Sequence, residues 1–185
     1  MSIESIFSEL SSHMLEGIMI HEQLMNCYLF LGLEGYAACH EYHYISETLD
    51  RNKLVSYSVE HYSKLISNTA FNIPEVIPNT WYNSLREEVN HDTRIKAISA
   101  AYDEWINWEE SAKSLYEKIY KELLNNNEIA FAEFISNYIT NVEEEIIYAR
   151  KERLKKIAMD YDIVSIMEEQ EEFKRIYKKK LHKLW

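Results

Sequence analysis

Residues 21 to 47, HEQLMNCYLFLGLEGYAACHEYHYISE, contain two helical patterns separated by a glycine-bounded turn. Apolar residues recur every three or four positions before Gly32, and a helical pattern resumes after Gly35. Two glycines three positions apart can end one helix and let the chain reverse before the next one starts. The stretch therefore predicts the corner of an antiparallel helical hairpin that carries histidine and glutamate on both arms.

The same periodicity predicts four long helices and a shorter fifth one along the 185 residues. Three glycines and two prolines are few for this length, which favours helices over a turn-rich β architecture. Both prolines fall in the stretch before the third helix, so we expect a long connection there. The prediction is a single helical domain of residues 1–185, with helices at about 2–31, 35–66, 92–125, 128–160 and 163–183 and a crossover at about 67–91.

The lengths of the connections predict how these helices are arranged. The first and second helices are joined by a short turn, and so are the third and fourth, so that each pair forms an antiparallel hairpin. The connection between the two hairpins is long enough to run the length of the bundle. We therefore expect an all-α antiparallel four-helix bundle with one long crossover and an additional C-terminal helix.

The charge of the chain narrows the classes of partner. Its formal net charge is −11 at pH 7, and an acidic surface of this kind repels the phosphates of nucleic acids, so direct nucleic-acid binding is not expected. The absence of a long apolar run and of a basic leader sequence predicts a cytoplasmic protein that does not contact a membrane. In that compartment Cys27 and Cys39, the two cysteines of the chain, are expected to be reduced.

Four glutamates interrupt the apolar stripes of the predicted helices. They are Glu22 on the first helix, Glu47 on the second, Glu109 on the third and Glu145 on the fourth. Within each predicted hairpin the two carboxylates fall at about the same height along the bundle. Because a buried carboxylate must be paired, hydrogen-bonded or bound to a cation, this pattern predicts either a metal site or a buried polar network.

A bundle in which each of four helices contributes one inward glutamate resembles the ferritin-like superfamily, and the resemblance covers about residues 2 to 160. It extends more loosely to uncharacterised ferritin-like proteins of bacterial prophages. The resemblance implies a carboxylate-bridged di-iron or di-manganese centre that supports oxidative chemistry. It also implies metal ligation by Glu22, Glu47, Glu109 and Glu145.

The resemblance is incomplete at the two Glu-x-x-His motifs of that superfamily. Asp50 follows Glu47 by three positions and Tyr148 follows Glu145 by three, so neither motif has its histidine. His43, one helical turn before Glu47, is the expected substitute and completes the predicted set of metal ligands.

A second function from a different class is also consistent with the residues. An acidic helical surface with 14 tyrosines in the chain can mimic a nucleic acid, so a non-catalytic protein from a phage or mobile element that binds and inhibits a host or defence protein is the alternative. The sequence contains no glycine-rich phosphate loop, serine nucleophile elbow or spaced zinc motif that would support another enzyme class. The apolar stretch from Tyr28 to Leu33 further predicts a homo-oligomer.

Overall fold

The computed structural model describes residues 2–66 and 89–184, which form five helices and, within those two ranges, no strand. The helices are α1 (Ile3–Phe30), α2 (Glu34–Tyr62), α3 (His91–Asn125), α4 (Ile129–Ala158) and α5 (Ile163–Leu181). The predicted all-α bundle with an additional C-terminal helix is confirmed. Most of the predicted crossover, residues 67–88, lies outside the described residues. None of the described helices is long and apolar enough to cross a membrane.

Polar side chains set three of the helix starts. The side chains of Ser2, Asn90 and Asp162 accept hydrogen bonds from backbone N–H groups in the first turns of α1, α3 and α5. Those N–H groups have no partner within the helix, so each cap stabilises the end at which it lies.

The ends of α1 and α2 depend on two residues with positive φ. Gly32 has φ 74°, a value that glycine adopts without steric cost, and it forms part of the short turn between α1 and α2. Ser63 has φ 53° and its N–H donates to the carbonyl of Val59, which ends α2 at Tyr62. The helix therefore ends four residues before the predicted end at residue 66. The periodicity of apolar residues does not indicate that a serine adopts the left-handed conformation.

The helices pack as two hairpins. Helix α1 lies against α2 and α3 lies against α4, while α1 and α3 join the hairpins through the core. Helix α5 packs along α2, whereas α2 and α4 make few direct contacts. The core is rich in large side chains, among them Trp105, Tyr28, Tyr36, Tyr116, Phe7 and Phe131. This arrangement leaves a gap between α2 and α4 next to α5.

Two features hold α5 against the bundle. A Cβ atom added to Gly35 would lie 1.9 Å from the carbonyl oxygen of Gln170, so the backbone of α5 rests directly on α2 at this glycine. The Nζ of Lys156 on α4 also lies 3.0 Å from a carboxylate oxygen of Glu169 on α5, and the Tyr36 hydroxyl donates to the same carboxylate. Lys156 and Glu169 are both buried, and buried charges must be paired to be tolerated.

Candidate metal centre

A cavity of about 530 Å³ occupies the gap between α2 and α4. Helix α3 contributes to its inner wall and α5 to one side. Helices α2, α3 and α4 supply its carboxyl groups. These are Glu47, Asp50, Glu109, Glu144 and Glu145. Five tyrosines also line it, namely Tyr42, Tyr116, Tyr138, Tyr148 and Tyr177.

Glu109 lies deepest among these carboxyl groups and is 1% exposed. Its Oε1 atom accepts a hydrogen bond of 3.0 Å from the indole N–H of Trp105, one helical turn away. Its carboxyl group also forms a hydrogen bond with that of Glu145. Burial, together with the neighbouring Glu145 and Glu47, raises the pKa of Glu109 well above its usual value. The raised pKa favours the protonated form of Glu109 in the ion-free protein.

Glu145 and His43 form an ion pair across the cavity between α4 and α2. The Nδ1 atom of His43 lies 3.2 Å from Oε2 of Glu145. Burial alone would lower the pKa of His43, but the adjacent Glu145 outweighs it and the pKa is raised well above its usual value. Burial also opposes ionisation of Glu145, yet His43 brings the pKa of that carboxyl down to about 2. The pair is therefore an imidazolium facing a carboxylate.

Glu47 on α2 is half-buried and is crowded by the other acids. Burial, followed by the charges of Glu145 and Asp50, raises its pKa to about 8. Asp50 has a cation beside it, because the Nζ of Lys53 lies 2.6 Å from its Oδ1 atom. The ionisation of one carboxyl group in the cavity thus depends on that of its neighbours. This holds for Glu47, Glu109 and Glu145.

Helix α1 contributes a histidine to this neighbourhood. His21 is fully buried, and its ring stacks on His43 with the centroids 5.1 Å apart. Its Nδ1 atom lies 2.9 Å from Nδ1 of His40, and its Nε2 atom has no partner among residues 2–66 and 89–184. Burial lowers the pKa of His21 to about 3, so the imidazole is neutral. A neutral imidazole with a free nitrogen is a suitable metal donor.

The predicted site residues divide into two groups. His43, Glu47, Glu109 and Glu145 all line the cavity. Glu22 is half-buried and is not among the residues that line it. His21, the buried residue that precedes Glu22, does not line the cavity either, so the donor on the first helix stays a prediction.

A stricter helical pattern in the sequence would have indicated His21. The inward positions of α1 follow one another at spacings of four and three, and all six are buried: Leu10, Met14, Gly17, His21, Leu24 and Tyr28. His21 belongs to this series and Glu22 does not. The looser apolar stripe on which Glu22 was placed included residues at the edge of that face, such as the half-buried Met25.

The donor chemistry of the cavity suits a divalent metal ion. Carboxylate oxygen and imidazole nitrogen are ligands that iron and manganese accept, and the side chains of Glu47, Glu109, Glu145 and His43 line the cavity. The imidazolium of His43 would bind an ion only after it had lost a proton. In residues 2–66 and 89–184, no group of three or more His, Cys, Asp or Glu side chains is already gathered about one point. A bound ion would therefore require the carboxylates to rotate towards it.

The fold resembles solved ferritins over nearly its whole length. A humanized archaeal ferritin matches with a TM-score of 0.77 at 12% identity, over 92% of this chain and 93% of that one. An engineered closed form of the Archaeoglobus fulgidus ferritin matches with a TM-score of 0.75 at 14% identity, over 94% and 96%. The open-pore ferritin of the same hyperthermophilic archaeon has a TM-score of 0.73 at 12% identity, over 91% and 92%.

No protein-family model matches the chain, and no curated protein matches it. Identities of 12% to 14% establish the architecture and leave the chemistry to the residues themselves. The chain has a ferritin-like fold, as the resemblance of its predicted helix arrangement implied.

Proposed function

We propose that this protein binds iron or manganese in a carboxylate-bridged dinuclear centre and supports oxidative chemistry there. The observation that carries the proposal is Glu109, a carboxyl group that is 1% exposed and lies beside the carboxyl groups of Glu145 and Glu47. Glu47, Glu109 and Glu145 would supply the carboxylates, and His43 an imidazole. When bound, such a pair of ions would supply electrons that reduce oxygen or peroxide and would itself be oxidised.

Several carboxyl groups that lie close together and partly out of water are unfavourable in free energy when they are all ionised. In the ion-free protein, Glu47 and Glu109 reduce this cost by holding protons, and Glu145 reduces it by pairing with His43. A divalent cation can replace those protons and leave all three carboxylates ionised. Metal affinity should therefore rise with pH, because metal binding releases protons and a lower proton concentration favours their release.

The neighbours of the proposed ligands fix their orientation. The indole N–H of Trp105 donates to one oxygen of Glu109. Hydrogen bonds of this kind keep a ligand in one rotamer and tune its basicity. On α1, Glu22 stays the predicted donor, and we propose His21 as a further candidate because its ring stacks on that of His43. The Nε2 atom of His21 is free to bind a metal in the tautomer whose Nδ1–H donates to His40.

Metal content measured by elemental analysis tests this proposal. The chain is expressed in medium supplemented with iron and manganese, beside Glu109→Gln and a matched control, Glu110→Gln. Glu110 is the next residue on α3 but is exposed and pairs with Arg150 at the surface. We expect about two ions per chain in the parent and the control, and fewer than one in Glu109→Gln. A parent without metal, or a Glu109→Gln variant with the parent's content, would refute the proposal.

We further propose that the chain associates with copies of itself. A patch of exposed apolar side chains surrounds the corner where α4 leads into α5; we call it the α4–α5 corner patch, and it consists of Leu154, Ile157, Met159, Ile163, Val164 and Met167. Exposed apolar surface is typical of an interface, and identical chains most often form symmetric assemblies. The alternative function, an acidic bundle that inhibits a host protein, depends on the acidic charge and the tyrosines of the chain and stays a prediction.

A further inference from the structure

The outer part of the cavity contains an ammonium group held between aromatic rings. Tyr42 on α2 and Tyr177 on α5 have ring centroids 5.6 Å apart, at an interplanar angle of 47°. The Nζ of Lys180, near the end of α5, lies 4.9 Å from each of these centroids. All three residues line the cavity. The lysine is exposed, whereas Tyr177 is buried and its ring contacts Phe173.

An ammonium over the faces of two tyrosines is a cation–π arrangement. Lys180 takes this position although the carboxylate of Glu144 lines the same cavity. The two rings therefore form a seat for an alkylammonium group, and in the ligand-free protein a side chain of the protein itself occupies that seat. A free amine that enters the cavity must compete with Lys180 for it.

The inner part of the cavity can accept a second positive charge. At the inner end lies Glu47, which is five residues from Tyr42 on α2, or about 7.5 Å along the helix axis. The carboxyl group of Glu47 interacts electrostatically with that of Glu109, which is 1% exposed. Between the two ends the wall includes the apolar side chains of Val142 and Ile176.

We propose that this cavity binds a linear alkyl diamine. One ammonium of the ligand takes the place of Lys180 between Tyr42 and Tyr177, the alkyl chain lies along Val142 and Ile176, and the other ammonium donates hydrogen bonds to the carboxyl groups of Glu47 and Glu109. This inference goes beyond the proposed metal function, because the outer seat contains none of the proposed metal ligands. The inner end shares Glu47 and Glu109 with the proposed metal centre, so binding is tested on metal-free protein.

Isothermal titration calorimetry with hexamethylenediamine tests the proposal, and hexanediol of the same chain length serves as the neutral control. We expect the diamine to bind and the diol not to bind. Replacing Lys180 by methionine removes the competing ammonium, so Lys180→Met should bind the diamine about fivefold to tenfold more tightly than the parent. Lys179→Met makes the same change of charge on the neighbouring exposed residue and should match the parent. Tyr42→Leu should weaken binding.

Equal affinities of Lys180→Met and Lys179→Met would overturn the proposal, because attraction by the overall acidic charge would then explain binding. Absence of diamine binding to Lys180→Met, or equal binding of the diol, would also overturn it. The two proposals fail separately. A protein that takes up no iron or manganese but shows the Lys180 effect loses the metal centre and keeps the diamine site, and metal uptake without the Lys180 effect gives the opposite result.

Discussion

Neighbouring glutamates on α3 show how position on a helix determines the behaviour of a residue. Glu109 faces the core, has one oxygen bound to Trp105 and has its pKa raised by burial. Glu110 is turned about 100° from it around the helix, lies in water and pairs with Arg150. The same side chain is thus a candidate metal ligand at one position and a surface charge at the next. Surface pairs of this type contribute at most about 1 kcal/mol to stability.

The raised pKa of Glu47 predicts a specific pH dependence of stability in metal-free protein. An acid whose pKa rises from 4.5 to about 8 on folding keeps a proton that the unfolded chain has lost, so stability falls as the pH rises towards 8. The pKa of His21 is lowered from 6.5 to about 3, so this residue makes stability fall as the pH drops. Its effect begins only below about pH 6.5, where the unfolded chain binds the proton. Glu109 and His43, whose pKa values are also raised, act in the same direction as Glu47 above pH 6.5. The free energy of unfolding should therefore fall by at least about 1.5 kcal/mol between pH 6.5 and 8.

Urea denaturation at several pH values measures this dependence. Glu47→Gln cannot ionise, so its stability should decline less than that of the parent over the same range. Equal slopes for parent and variant would show that Glu47 does not hold its proton in the folded protein.

The sequence was sufficient to predict some of the cavity residues and not others. Glu109 and Glu145 interrupt seams of regular spacing, so their inward direction follows from periodicity. The choice between Glu22 and His21 depends on a difference of one position, which a looser apolar stripe does not resolve. The ion pair between His43 and Glu145 depends on how the two hairpins face each other, and that arrangement has no local signal in the sequence.

Among the elements, α5 differs most from what periodicity alone can predict. The predicted helix at 163–183 has acids before bases, which agrees with the helix dipole and with the observed range of Ile163–Leu181. Its position along α2 depends on the close approach at Gly35 and on the buried pair of Lys156 and Glu169. These contacts join residues far apart in the chain, so only the tertiary structure reveals that α5 forms one side of the cavity.

Replacing Gly35 by alanine tests the packing of α5. The new methyl group would meet the carbonyl oxygen of Gln170 at 1.9 Å, and a backbone atom cannot move aside as the tip of a side chain can. We expect Gly35→Ala to destabilise the protein by about 1–3 kcal/mol and to loosen α5 from α2. Thermal unfolding and limited proteolysis between α4 and α5 measure both effects. Gly17→Ala, which would meet the side chain of Trp108 and not backbone, should leave the protease resistance of this junction unchanged.

For the whole molecule, the two short turns and the long connection predict the bundle architecture. Gly32 adopts the left-handed conformation that its place in the turn requires, and Asn127 does the same between α3 and α4. The fold follows from such local rules together with inward periodicity, which explains why a chain only 12% to 14% identical to ferritins has their architecture. The apolar stretch from Tyr28 to Leu33, on which self-association was predicted, is largely buried, since Tyr28, Leu31 and Leu33 lie in the core. The α4–α5 corner patch has no such local signal, because it forms only where two helices meet.

Self-association through the α4–α5 corner patch is tested by light scattering coupled to size-exclusion chromatography. We expect the parent to have a mass above that of one chain, and Leu154→Glu combined with Met167→Glu to shift the mass towards the monomer, since buried charge disfavours an apolar interface. Ile129→Glu serves as the control, because Ile129 is also exposed but lies at the start of α4. A monomeric parent would refute the assembly, and an equal effect of the control would place the interface elsewhere.

Anomalous X-ray diffraction from crystals of the manganese- or iron-loaded protein tests for the metal centre. We expect anomalous peaks in the cavity, within bonding distance of carboxylate oxygens of Glu109 and Glu145 and next to Glu47 and His43, and no such peaks in Glu109→Gln. Peaks only at surface carboxylates, or a cavity without any peak in metal-loaded crystals, would contradict it.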